Sequence, residues 1–108
     1  MNLPTDHDLC FAPATEQRAL LATRQISARE LLEAYLARIE QVNPAVNAIV
    51  TIDPVGARAQ ADASDAARTR ADAMGPLAGL VVAHKDLVNT GGMRSTQGSP
   101  IYRDFIPT

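Results

Sequence analysis

Cysteine, lysine and aromatic side chains are nearly missing from this sequence, and each shortage narrows what it can be. Cys10 is the only cysteine, so no internal disulfide and no CxxC metal clamp can form, and a reducing compartment fits. Only Phe11, Tyr35, Tyr102 and Phe105 are aromatic, and much of the 46% hydrophobic content is alanine. Material for a core is therefore thin, and 108 residues suffice for one domain or part of one. Runs of like charge are absent too. Ten basic and twelve acidic side chains leave a formal net charge of -2, with no aromatic platform interleaved with arginine, which speaks against nucleic acid and against an anionic membrane as partners. No uncharged apolar run approaches the roughly 20 residues of a membrane helix. Met1 to Phe11 carries acids at Asp6 and Asp8 where a secretory leader has a basic and then an apolar stretch. The expected protein is soluble and cytoplasmic.

What is present reads as helices first and short apolar segments after. Thr15 is placed to cap a short helix running to about Gln25, with Glu16 at the positive end of its dipole. Ser27 and Glu30 form an S-x-x-E capping box. Leu31, Leu32, Tyr35, Leu36, Ile39 and Val42 then recur at three- and four-residue steps, the stripe of a helix with one buried face. That stripe is read as core rather than as a binding groove. Asn43-Pro44 is expected to stop this helix. Asn47 to Ile52, rich in β-branched residues between Pro44 and Pro54, reads as a strand. Pro54 suits a first helical turn, and the alanine-rich stretch continues a helix to Ala73. After Met74-Gly75-Pro76, the run Leu80 to Ala83 suits a strand buried on both faces. The remainder, with Gly91-Gly92, Gly98, Pro100 and Pro107, reads as loop. No internal repeat or domain boundary divides the chain.

Of the ten basic residues nine are arginine, and the single lysine, Lys85, directly follows the apolar run. Arginine stays protonated in proteins, whereas a lysine desolvated at the end of a buried strand can lose its proton and act as a base. The alternative is an ordinary polar residue after a strand, with its ammonium in solvent.

The flanking residues bear on that choice. Gly75-Pro76-Leu77-Ala78-Gly79-Leu80-Val81-Val82-Ala83-His84-Lys85-Asp86 resembles the G-P-L-x-G-x-P-x-x-x-K-D motif that opens the amidase signature family. Asn89-Thr90-Gly91-Gly92-Met93-Arg94-Ser95-Thr96-Gln97-Gly98-Ser99 is similar to its D-T-x-G-x-x-T-T-x-G-S continuation. The likeness extends back through Ser27 to Leu31, Tyr35, Ile39 and Asn43 to Ala48, and covers about Glu16 to Pro107. Val81 stands where the family has proline, His84 where it has an apolar residue, and Asn89 where an acid is common.

The resemblance implies an amide hydrolase with a Ser-cisSer-Lys triad. Lys85 would take a proton from a bridging serine, which in turn activates the nucleophilic serine. Both triad serines lie downstream of the lysine in that family, and neither is found in this sequence. The fold implied is α/β, with N-terminal helices leading into the first strands of a larger mixed sheet that is incomplete in this chain. Residues 1–108 are then a partial amidase domain. Residues 1–74 are mainly helical with a short strand near 47–52, and residues 75–108 begin the signature region. The substrate implied for the complete enzyme is a small-molecule amide, with no cofactor and no metal. A homo-oligomer and association with a missing C-terminal part both remain open as partners.

Other chemistry fits these residues less well. Ser95 and Ser99 share the loop region with Lys85; they either form a self-contained dyad with it or satisfy backbone donors, and the second is favoured. Histidine and lysine are adjacent at His84-Lys85, unlike the phospholipase D motif H-x-K, and His7 is the only other histidine. Gly91-Gly92 lacks the Gly-Lys-Ser/Thr ending of a phosphate loop. Asp86 is expected to orient a loop or the lysine's surroundings, and the resemblance implies a structural role near the site. With the Leu80 to Ala83 strand seeking neighbours on both edges and cover on both faces, the chain alone should be marginally stable and inactive. The readings held beside amide hydrolysis are a non-catalytic helical interaction module and part of an amidotransferase subunit of the same family.

Overall fold

A computed structural model describes residues 5–108. It is organised around one helix, and the sequence of that helix explains why. Ser27 accepts the Glu30 amide while the Glu30 carboxylate accepts the Ser27 amide, the expected capping box. The apolar stripe beyond it buries Ala28, Leu31, Leu32 and Ala34. This is α3, Ala28–Val46, preceded by α1 (Asp6–Phe11) and α2 (Ala14–Ala22) and followed by α4 (Pro54–Thr69). A 3-10 turn at Pro100–Tyr102 is the only other regular element among the described residues. α1 and α4 both pack on α3. The core comprises Leu9, Leu21, Ile26, Ala28, Leu31, Leu32, Ala34 and Ala61. Leu21 and Leu31 are fully buried, each contributing about 1.5–3 kcal/mol.

The first helices are joined by a polar tie. Gln17, on α2 and 4% exposed, directs its side-chain amide to the Leu9 carbonyl (2.7 Å) and the Tyr35 hydroxyl (2.8 Å), linking α1, α2 and α3. The helical pattern of the sequence gives no warning of α1, where Thr5 and Asp8 build a second capping box. Helix α2 starts one residue before Thr15 and is capped by no side chain; the Pro13 carbonyl receives the Glu16 and Gln17 amides and starts the ladder. It ends at Ala22, short of Gln25, where Arg24 takes φ 58° and the Gln25 amide returns to the Leu20 carbonyl. α4 likewise stops before Ala73, with Ala71 at φ 57° and the Asp72 amide on the Ala67 carbonyl.

Pro44 does not stop α3. In the last turn proline forfeits a single donor, so the helix continues to Val46 and closes on Asn47 in the left-handed region, φ 47° and ψ 44°. The Asn43 side chain then both accepts the Ile49 amide (2.9 Å) and donates to the Ile49 carbonyl (3.0 Å).

Neither expected strand forms among the described residues. The fold as described is helical, with irregular chain at 47–52 and 80–83. A strand requires a neighbouring ladder, and here the backbone groups have other partners. Asn43 takes those of Ile49, the Arg94 guanidinium takes the Val50 carbonyl (3.1 Å), and the Leu80 amide turns back to the Leu77 carbonyl (3.1 Å). Leu80 and Val81 nonetheless lean on the core, and Gly79 lets them approach. At φ +88°, a Cβ on Gly79 would lie 3.1 Å from a Leu21 methyl. The predicted α3 stripe is buried at its start only; Tyr35, Leu36, Ile39 and Val42 are half-buried. No described helix is long and apolar enough to cross a membrane.

Candidate active site

Past Gly79 the apolar segment emerges from the core, with Val82, Ala83, His84 and Lys85 all exposed. Lys85 begins a turn closed by the Val88 amide on the Lys85 carbonyl, 2.9 Å. Its ammonium has no hydrogen bond or ion pair with any described residue, whereas the next residue is fully engaged. Asp86 Oδ1 accepts the Thr96 amide (2.8 Å) and Oδ2 accepts the Thr96 hydroxyl. These two donors, with the Arg94 charge adding to them, hold the Asp86 carboxyl below the usual carboxylate range.

The loop beyond is closed on itself. The Gly92 amide donates to the Pro107 carbonyl (2.9 Å), and the Ser95 amide to the Phe105 carbonyl (3.0 Å). Ser95, 2% exposed, has its hydroxyl among the Met93 carbonyl, the Val88 carbonyl and the Thr90 amide at 3.4–3.5 Å. Ser99 caps the 3-10 turn by accepting the Ile101 amide at 3.3 Å. Both serines thus serve backbone groups, and no hydrogen bond joins either to Lys85. The Arg94 guanidinium reaches the Val50 carbonyl and the Thr51 hydroxyl, fixing this loop to the chain after α3.

His84 stands exposed beside Lys85, and His7 stacks on Phe11 in α1 with ring centroids 4.7 Å apart. Among the described residues no group of three or more His, Cys, Asp or Glu side chains gathers as a metal site. A shallow cleft of about 220 Å³ lies between α3, α4 and residues 79–82, with Leu32, Ala61, Ser64 and Leu80 in its lining. Lys85 is not part of it. The Ser64 hydroxyl is buried there without a partner. Thr96 is the residue that sequence reasoning missed; the signal was its place in the S-T-x-G-S stretch ten residues after Asp86.

The family profile described as Amidase matches residues 30–108. Among curated relatives, a glutamyl-tRNA(Gln) amidotransferase subunit from Azoarcus sp. (strain BH72) is 48% identical over 95 residues, covering 88% of this chain and 19% of the relative. The corresponding subunit from Acidothermus cellulolyticus is 43% identical over 100 residues, 93% of this chain and 20% of the relative. A solved structure superposes with a TM-score of 0.83 at 35% identity, over 90% of this chain and 21% of that one. It is described as a vestigial protein complex that reveals the evolutionary origins of an s-triazine catabolic enzyme. The chain spans about one fifth of the length of these proteins.

Proposed function

The chain belongs to the amidase family, and from that premise we propose that it supplies the base, Lys85, of a site that cleaves carbon–nitrogen amide bonds. The observation carrying this reading is the contrast between neighbours. Asp86 has both carboxylate oxygens hydrogen-bonded to Thr96, while Lys85, the only lysine of the chain, begins the same turn with no side-chain partner among the described residues. In a Ser-cisSer-Lys relay, a neutral lysine takes the bridging serine's proton as the nucleophilic serine attacks the amide carbonyl. The same path then returns a proton to the departing nitrogen. Ser27 caps α3, Ser64 lies in a cleft that Lys85 does not line, and Ser95 and Ser99 serve backbone groups, so this reading takes both triad serines from polypeptide outside these 108 residues. That polypeptide would also cover Lys85 and lower the cost of its neutral form by desolvation.

The test is ammonia release from simple aliphatic and aryl amides. The chain alone is expected to release none. Combined with a polypeptide carrying the serine-bearing remainder of a family member, it should support hydrolysis that Lys85→Ala abolishes. Hydrolysis by the chain alone, or a complex that survives Lys85→Ala, would overturn the assignment.

The names of the curated relatives favour a second reading, a part of an amidotransferase subunit, in which the released nitrogen passes to an acceptor. Nitrogen release that depends on an acceptor would select this reading; free ammonia without one would select hydrolysis.

A further inference from the structure

The turn that begins at Lys85 is fastened at two points to one short stretch of loop. From its second residue, Asp86 binds the amide and the hydroxyl of Thr96 with separate carboxylate oxygens. From its fourth, Val88 offers its carbonyl to the Ser95 hydroxyl at 3.5 Å. The anchoring residues are themselves held. The Thr96 hydroxyl accepts the Gly98 amide (3.3 Å), the Thr96 carbonyl accepts the Ser99 amide (3.0 Å), and the Ser95 amide is bound to Phe105. The two bonds from Asp86 to Thr96 hold the turn's direction, and the Ser95 hydroxyl, shared between the Val88 and Met93 carbonyls, lies against its other end.

A lysine side chain carries about 2 kcal/mol of rotamer entropy on its flexible stem. The protein can limit that freedom by fixing where the stem begins. We propose that Asp86 is a positioning residue for Lys85, acting through Thr96: the two-oxygen clamp sets the direction in which Lys85 leaves the backbone. The carboxylate works through the chain and not by pairing with the ammonium: its two oxygens face the Thr96 amide and hydroxyl, and Lys85 forms no ion pair with it among the described residues. The inference rests on Lys85 being the base.

The experiment measures kcat and KM for the complex of this chain with the serine-bearing polypeptide, comparing Asp86→Ala, Thr96→Val, Thr96→Ser, the Asp86→Ala/Thr96→Val pair and Lys85→Ala. Asp86→Ala and Thr96→Val should each lower kcat on the order of 100-fold with KM within about threefold, because misplacement by an ångström has that effect. The double variant should fall no further than either single one, and Thr96→Ser, which keeps both donors, should stay within about threefold of the unaltered chain. Full turnover in Asp86→Ala and Thr96→Val, with none in Lys85→Ala, overturns the positioning role and leaves the base in place. Turnover in Lys85→Ala overturns both. A Thr96→Ser loss as large as that of Thr96→Val also overturns the clamp, since it assigns the effect to the threonine methyl. Should Asp86→Ala fail to fold, the two Thr96 variants carry the same decision.

Discussion

At Gly79 the backbone sits at φ +88° with a Leu21 methyl 3.1 Å from where a Cβ would be. Alanine there meets a strained backbone and a fully buried leucine together. The left-handed conformation alone costs about 1–2 kcal/mol. Gly79→Ala should lower stability by at least that much, read from the shift in urea midpoint at constant slope. This glycine was legible as part of the G-P-L-x-G motif, though its partner Leu21, 58 positions earlier, was not. The Ser27–Glu30 box could be read because it is local and its residue types are specific. Arg24 and Ala71 could not be read as helix terminators, since neither type favours the left-handed region they occupy. Lys85 was singled out by rarity and position. Its fastening through Thr96 depends on a loop closure that no spacing rule encodes.

Between elements, α3 and α4 are joined by charged contacts beside a thin apolar one, because α4 offers mainly alanine. Asp65 of α4 accepts the Ala28 and Arg29 amides, at 2.7 and 3.0 Å, and so caps α3 from outside it. Glu33 accepts from Arg58 across the interface at 2.7 Å and from Arg29 along α3 at 2.8 Å, while Arg29 also reaches Asp62 on α4 at 2.7 Å. The guanidinium groups of Arg58 and Arg29 hold the Glu33 carboxyl down at about 2, against an ordinary value of 4.5. A carboxyl with a depressed folded value lends its stability above the ordinary value and loses it as pH falls towards the folded one. Helix docking should therefore weaken progressively from about pH 4.5 to pH 2. Glu33→Gln should flatten that dependence, as followed by thermal unfolding across the range. The expected strands illustrate the opposite limit of legibility. β-Branched residues at 47–52 and the run Leu80 to Ala83 report a preference for sheet, but a sheet also needs edges to pair with, and the described chain provides none.

For the molecule as a whole, the Cα radius of gyration is 15.2 Å, against about 13 Å for a compact chain of this length. The excess reflects a small core with apolar side chains left outside it. Val46 at the end of α3 and Val50 and Ile52 just after it are 48–59% exposed, and Val82, Leu87 and Val88 flank Lys85 at 50–63%. Marginal stability is the expected consequence. Urea should unfold the isolated chain with a midpoint below about 3 M, and addition of the serine-bearing polypeptide should raise it. A sharp transition well above that concentration in the isolated chain would mean that the helical core suffices by itself. The solitary lysine also gives the chain a single point of attack. A protease that cuts only after lysine has one bond to cleave here, Lys85–Asp86, and the products would be residues 1–85, with α1 to α4 intact, and residues 86–108. Proteases bind an unfurled backbone, so the cut waits for the turn to detach from Thr96. The nicking rate is then a stopwatch on that local opening, readable by mass without label or assay.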